Sequence, residues 1–283
     1  IHQSWKNTRI PKEHVANFKS WPEHHPGALH VLWTDADNAD LIRQFYPELW
    51  GVYSKMKLVI QKCDLVRLLY VHRYGGIYAD LDYAAHANLI ENLPGHPNDL
   101  ADIYIVKSPV LLNEVCQNSL MIGTTVGHPF WLDVANNIKD IVTFIHNGPK
   151  ACETKVRGSC QMLDFFTSMW TSKLAHMMFT IYITGPAVID KTIAMYQNNN
   201  NTRLSLRLLP DTFFNGDRRP DGVATHYQAN SWINIPKAIP ELISIVVVSL
   251  ILGIICVIVV VMCMMRKRCD LRLRNECPMM RWT

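Results

Sequence analysis

The chain contains neither a G-x-G-x-x-G turn nor a P-loop, so the common glycine-rich cradles for dinucleotides and nucleoside triphosphates are excluded. None of its eight cysteines pairs with another at the short spacing of a structural zinc site. Internal repeats are missing, and the only biased stretch is the asparagine run Asn198–Asn201. An excess of positive charge is also missing from most of the chain. After Met265 there are six basic residues (Arg266, Lys267, Arg268, Arg272, Arg274, Arg281) against two acids (Asp270, Glu276), a net of +4, and the whole 283-residue chain also carries +4. Residues 1–265 are therefore formally neutral, which gives no support for nucleic-acid binding. The last absence is local. From Leu242 to Met265 no residue is charged.

That uncharged run is long enough to cross a bilayer as a helix, for which about 20 apolar residues suffice. Ser244, Ser249 and Gly253 are small enough to be tolerated within it. Basic residues crowd its C-terminal side, which predicts a cytosolic tail and a large N-terminal portion in a lumen or outside the cell. The expected layout is one α/β domain over residues 1–236, a linker over 237–241, a membrane span over 242–265 and a basic tail over 266–283. The chain opens on Ile1 and shows no signal peptide, so an upstream segment or a start inside a longer product is expected. Asn200-Asn201-Thr202 is a glycosylation sequon in keeping with a lumenal domain. Cys152 and Cys160 flank a short polar loop and are candidates for a disulfide in such a compartment.

The most informative stretch runs from Leu58 to Asp82. Leu58 to Tyr74 reads as a helix, with Leu65, Leu68, Leu69 and His72 recurring on one face. Asp64 and Arg67 are three apart and share a neighbouring face. The Gly75-Gly76 turn then leads into a short apolar strand that ends in Asp80 and Asp82. Strand residues two apart point the same way. Two carboxylates on one side of an apolar strand repel each other unless a cation sits with them. A hard divalent ion such as manganese or magnesium removes that cost and keeps positions open for phosphate oxygens. The plain alternative is a solvated strand-end turn. The helix runs straight into the glycine turn, which brings its charged face toward these acids. Arginine suits a phosphate or fixes a carboxylate, and an aspartate accepts ribose hydroxyls.

Asp64-Leu65-Val66-Arg67 followed by Gly75-Gly76-Ile77-Tyr78-Ala79-Asp80-Leu81-Asp82 resembles glycosyltransferase family 32. That family includes the inositol phosphoceramide mannosyltransferases and the initiating alpha-1,6-mannosyltransferases, and it is similar to the glucosyltransferase domains of the large clostridial toxins. The resemblance implies a GT-A type fold: one Rossmann-like α/β domain with a mostly parallel central sheet and the donor at the carboxyl ends of its strands. It also implies roles for single residues. Trp5 would stack on the nucleotide base, although it also reads as a packing residue. Asp64, Arg67, Tyr78 and Asp80 would face the nucleotide sugar. Asn118 would line the sugar pocket, or simply occupy a turn. Asp80, Asp82 and His226 would hold manganese or magnesium, with His226 otherwise a surface or hydrogen-bonded histidine. Ser231 and Trp232 would belong to a loop closing over the diphosphate, with the indole N–H of Trp232 on a phosphate oxygen.

The remaining elements follow in order. Ile1 to Trp5 reads as a strand end, Trp21 and Pro22 to Pro26 as a connecting loop, and Leu29 to Trp33 as a second strand. A helix over Ala39 to Tyr46 follows, with Asp35 as an entry residue. Ile103–Val106 and Ser119–Gly123 read as strands, and Asn118 sits just before the second. His128-Pro129-Phe130-Trp131 opens a helix to about His146, and Thr184-Gly185-Pro186 starts another. The function implied is metal-dependent, retaining transfer of a hexose to an acceptor hydroxyl, with Asp80, Asp82, Arg67 and Trp232 carrying the chemistry. The hydrophobic C-terminal segment favours GDP-mannose and a glycolipid acceptor such as inositol phosphoceramide, at a Golgi or other secretory membrane. A UDP-hexose donor, a glycoprotein acceptor, or a silent sugar- or partner-binding module on the same fold are the alternatives.

Overall fold

Strand β1 (His2–Ser4) runs parallel to β2 (Val31–Trp33) on one side and to β3 (Gly76–Ala79) on the other. The computed structural model describes residues 1–107, 116–147, 180–197 and 204–227, all within one compact unit. Beyond β3 lie β6 (Cys116–Gly123), β5 (Ile103–Lys107) and β7 (Leu206–Leu209), giving the order β2-β1-β3-β6-β5-β7. β6 is antiparallel to both of its neighbours, whereas β5 and β7 are parallel. Five strands therefore point one way and β6 alone points back, so the expected mostly parallel α/β sheet is present. A second, two-stranded sheet pairs β4 (Tyr83–Ala85) with β8 (Ala224–His226), antiparallel.

The centre of the large sheet is buried on both faces, which is why β3 and β5 are mostly apolar. Tyr78, Ile103, Ile105 and Met121 contribute to the core on one face. Their neighbours in sequence, Ile77, Ala79, Tyr104, Val106, Leu120 and Ile122, contribute to the other, as the strand period requires. Helices α2 (Asp35–Phe45), α3 (Pro47–Lys55), α4 (Val59–Tyr74), α5 (Pro129–Asn147) and α6 (Pro186–Gln197) accompany the first face. Helix α1 (Val15–His24) and the small sheet accompany the second. Thr34 caps α2 with a reciprocal capping box to Asp37, so Asp35 lies in the first turn and the cap itself is one residue earlier.

α4 begins one residue after the expected start and is buried on nearly all sides from Asp64 to Val71. It stops at Gly75, whose φ of 66° favours glycine, and a Cβ there would lie 3.1 Å from Val126 Cγ2 and 3.2 Å from the Gly123 carbonyl. The helix therefore turns directly into β3.

Three expectations change. Trp21 and Pro22 are helical rather than looped, because α1 is fastened along β4. The Trp21 indole donates to the Tyr83 carbonyl at 3.1 Å, and Ser20 Oγ accepts from the Ala85 N–H at 2.9 Å. Those bonds and the complete burial of Trp21 outweigh the proline signal. Asn118 lies within β6 rather than before it, since that strand starts at Cys116. Asp80 and Asp82 lie after β3 in a turn into β4, not on one strand. The strand stops because the Tyr83 N–H bonds back to the Asp80 carbonyl at 3.0 Å.

Residues 228–283, with Ser231, Trp232, the expected span 242–265 and the tail 266–283, lie outside the described residues, as do Cys152, Cys160 and the sequon. Among the described residues no helix is long and apolar enough to cross a membrane.

Candidate active site

The Asp80–Asp82 turn stands at the carboxyl end of β3, beside the carboxyl end of β1 where Trp5 emerges. Each of its three carbonyls is held. That of Asp80 accepts from Gln3 Nε2 at 3.2 Å as well as from Tyr83, that of Leu81 from Asn17 Nδ2 at 3.4 Å, and that of Asp82 from the Tyr227 N–H at 2.9 Å. The Asp80 N–H donates to the Ser119 carbonyl at 2.9 Å. The turn, not strand alternation, brings the two acids together.

His226 reaches the same place through the small sheet, where it is the register partner of Tyr83. Its ring stacks on Tyr83 with centroids 4.3 Å apart and planes 10° from parallel. His226 Nε2 lies 3.3 Å from Asp82 Oδ2, and its Nδ1 is buried with no hydrogen-bond partner among the described residues. Asp80, Asp82 and His226 each offer one ligand atom within 4.8 Å of the others. Two carboxylate oxygens and an imidazole nitrogen are a fitting donor set for manganese or magnesium.

Arg67 closes the site from α4. Its guanidinium is 3.3 Å from Asp80 Oδ1 through Nη1 and 3.3 Å from Asp64 Oδ1 through Nη2. Nη1 also donates to the Asn118 carbonyl at 2.9 Å, and Nε to the Cys63 carbonyl at 3.2 Å. The guanidinium carbon lies 5.0 Å from the centre of the Tyr78 ring, whose hydroxyl donates to Asp80 Oδ1 at 2.5 Å. Burial works against the charge of Arg67, but Asp80, Tyr78 and Asp64 outweigh it and raise its pKa. Burial likewise raises the pKa of Asp80; Arg67 pulls it back and Asp82 pushes it up again. Formally, three carboxylates, Asp64, Asp80 and Asp82, gather around a site to which Arg67 brings one guanidinium. An added cation eases the repulsion among the acids.

Asp64 is placed differently from a residue displayed to a nucleotide. It is buried, with Oδ1 accepting from Asn118 Nδ2 at 2.8 Å and Oδ2 from Thr184 Oγ1 at 2.8 Å. Burial raises its pKa, and Arg67, Thr184 and Asn118 oppose that shift. Asn118 is itself buried and meets Asp64 rather than open space. Trp5 is half-buried, its ring 6.0 Å from that of His14, and its Nε1 has no hydrogen-bond partner among the described residues. The structure thus gathers Asp64, Arg67, Tyr78, Asp80, Asp82, Asn118 and His226 into one network. Gln3 and Asn17, and Thr184, which the sequence reads only as part of a helix start, belong to it too. β1 is His2-Gln3-Ser4, polar throughout, so nothing in the sequence sets Gln3 apart from its neighbours.

Residues 11–100 match the family described as glycosyltransferase sugar-binding region containing DXD motif. That stretch of the chain is similar to this family. It contains α1, α4 and the turn with Asp80 and Asp82. The chain is 34% identical over 138 residues to inositol phosphoceramide mannosyltransferase 3 of Schizosaccharomyces pombe, covering 49% of this chain and 36% of that protein. It is 28% identical over 142 residues to mannosyl phosphorylinositol ceramide synthase CSH1 of Saccharomyces cerevisiae, covering 49% and 34%. The matches span about a third of the length of these relatives. Among solved structures, the catalytic domain of alpha-toxin from Clostridium novyi is similar with a TM-score of 0.48 at 11% identity, over 86% of this chain and 82% of that one.

Proposed function

We propose that the protein is a GT-A type, retaining glycosyltransferase that moves mannose from GDP-mannose to a membrane-associated acceptor, inositol phosphoceramide being the leading one. The observation that carries the reading is the convergence of Asp80, Asp82 and His226 against Arg67 at the carboxyl edge of the sheet. The names of the two fungal relatives support the sugar and the acceptor. The uncharged run 242–265 supports a membrane-held enzyme with its active site in a secretory lumen such as the Golgi.

Manganese or magnesium held by Asp80, Asp82 and His226 would supply Lewis-acid neutralisation of the charge on a departing diphosphate. The chain's own residues prepare for that charge. Arg67 is fixed by Asp64, the Asn118 carbonyl and the Cys63 carbonyl before any ligand arrives, so little reorganisation opposes its use. Tyr78 orients Asp80 through its hydroxyl. Trp5 offers an aromatic surface at the end of β1, and Ser231 and Trp232 follow β8 closely enough in sequence to complete the donor pocket. Both oxygens of Asp64 are engaged by Asn118, Thr184 and Arg67, which does not suit a nucleophile. A same-face displacement, in which the leaving phosphate takes the acceptor proton, fits better.

The test is a screen of nucleotide sugars with and without manganese, comparing the unaltered protein with Asp82→Ala. Manganese-dependent turnover of GDP-mannose is expected, lowered at least about a hundredfold by the substitution. Turnover of another nucleotide sugar would reassign the donor. Turnover that survives both chelation and Asp82→Ala would end the metal-dependent reading.

A further inference from the structure

Thr184-Gly185-Pro186 has an obvious local role, because Pro186 is the first residue of α6. That role explains the proline and leaves the threonine unexplained. Thr184 is buried, 2% exposed, and its hydroxyl lies 2.8 Å from Asp64 Oδ2 and 3.3 Å from the Thr180 carbonyl. One hydroxyl hydrogen serves one strong bond, and the shorter contact goes to the carboxylate. The glycine that follows explains how the threonine gets there. The Gly185 N–H bonds to the Thr180 carbonyl at 2.9 Å, and a Cβ on Gly185 would sit 3.0 Å from Ile181 Cα and 3.1 Å from the Ile181 carbonyl oxygen. The backbone thus folds back tightly at Gly185 and holds Thr184 against α4.

From Asp64 the connection reaches the candidate metal ligands in two contacts. Asp64 Oδ1 is 3.3 Å from Arg67 Nη2, and Arg67 Nη1 is 3.3 Å from Asp80 Oδ1. One guanidinium is therefore shared between two carboxylates. A buried carboxylate stays charged and oriented in proportion to the donors it receives. Asp64 has three: Asn118, Arg67 and Thr184. With the threonine donor removed, the Asp64 carboxylate loses the bond that fixes its orientation and no longer holds Oδ1 against Arg67. The guanidinium then settles on Asp80, where it opposes a cation.

We infer that Thr184 is a positioning residue for the proposed metal site: through Asp64 it divides the charge of Arg67 so that Asp80 remains available to a divalent cation. This rests on the metal-dependent reading above and extends it to a residue that touches neither donor nor metal.

Mn2+ alone provides the test, with free Mn2+ followed by electron paramagnetic resonance against the full chain in the absence of nucleotide. Thr184→Val keeps the shape and removes the donor; Thr184→Ser keeps the donor. The valine variant is expected to bind Mn2+ about ten- to a hundredfold more weakly, the scale of outer-shell changes at metal sites, and the serine variant to bind like the parent. In turnover the apparent KM for Mn2+ should rise more than kcat falls. Thermal melting reports folding separately. If Thr184→Val does not fold, Thr184→Cys, a weak donor of similar size, takes its place and should bind at an intermediate level. Parent-like Mn2+ affinity in the valine or cysteine variant, or failure of serine to restore it, would overturn the inference while leaving the metal site standing. A parent protein that binds no Mn2+ would remove the metal reading and this inference with it.

Discussion

One donor and one acceptor meet the two nitrogens of the His2 ring. The Trp33 indole N–H points at Nδ1 from 3.1 Å, so Nδ1 must accept, and Nε2 then carries the hydrogen toward the Gly75 carbonyl at 3.0 Å. A second proton would have to go onto Nδ1, facing another N–H. Burial, the largest cause, pushes the pKa of His2 down to about 4, with the bond to Gly75 opposing the shift and His30 adding to it. His30 moves the same way, to about 4, chiefly through burial. Between about pH 6.5 and pH 4 the unfolded chain binds protons that the folded chain refuses. Stability is then full above pH 6.5 and falls as the pH drops through that window. Urea midpoints measured from pH 7 to pH 4.5 should decline steadily. For His2 the loss approaches about 3 kcal/mol at the acid end. His2→Phe, which retains an aromatic ring against Tyr70, should flatten part of that slope. An unchanged slope would show that His2 is not the titrating group.

At the scale of elements, α1 is the informative case. Its Pro22 and the nearby Pro26 read as a loop, yet the helix runs to His24. Local propensity could not reveal this, because the deciding bonds go to residues far along the chain: Asn17 to Leu81, Ser20 to Ala85 and Trp21 to Tyr83. Together they cover one edge of β4 and hold the turn before it. Trp21→Ala removes a fully buried side chain and one of these bonds, so a loss of about 3–5 kcal/mol is expected in chemical denaturation. Mn2+ affinity in the folded fraction should fall as well, since the turn loses part of its support. A stability change under about 1 kcal/mol would mean that α1 is not fastened in this way.

Elements whose signal is local were legible from the residues. α4 and α5 show helical spacing or a proline start, and β5 and the second half of β6 are apolar runs. So was the candidate site in outline, because Asp64, Arg67, Asp80 and Asp82 fall within one short stretch. Its inner support was not legible. Gln3, Asn17 and Thr184 act across long separations in sequence, and such contacts leave no periodic trace. The pairing of β4 with β8 was hidden for the same reason, although His226 itself stood out.

Across the whole molecule, β6 is the strand most completely enclosed. It pairs on both edges and is buried from Asn118 to Gly123. The small sheet has a single ladder of three residue pairs. Backbone amides that open only on global unfolding should therefore concentrate in β6 and its partners, while β4 and β8 exchange through smaller openings. Hydrogen–deuterium exchange should show Leu120 and Ile122 among the slowest amides and the Tyr83–Ala85 stretch clearly faster. Equal protection of the two sheets would mean that they open as one cooperative unit.

The β4–β8 ladder also determines when the proposed metal site comes into being. Asp80 and Asp82 leave the ribosome early and His226 late, and only pairing with β4 sets the imidazole beside the acids. A nascent chain short of that strand has two carboxylates and no nitrogen ligand, so it is a poor trap for ions in the compartment where it is made. Loading is thereby deferred until synthesis and folding of this unit are nearly finished, and a stalled or clipped product lacking β8 would emerge without a complete donor set.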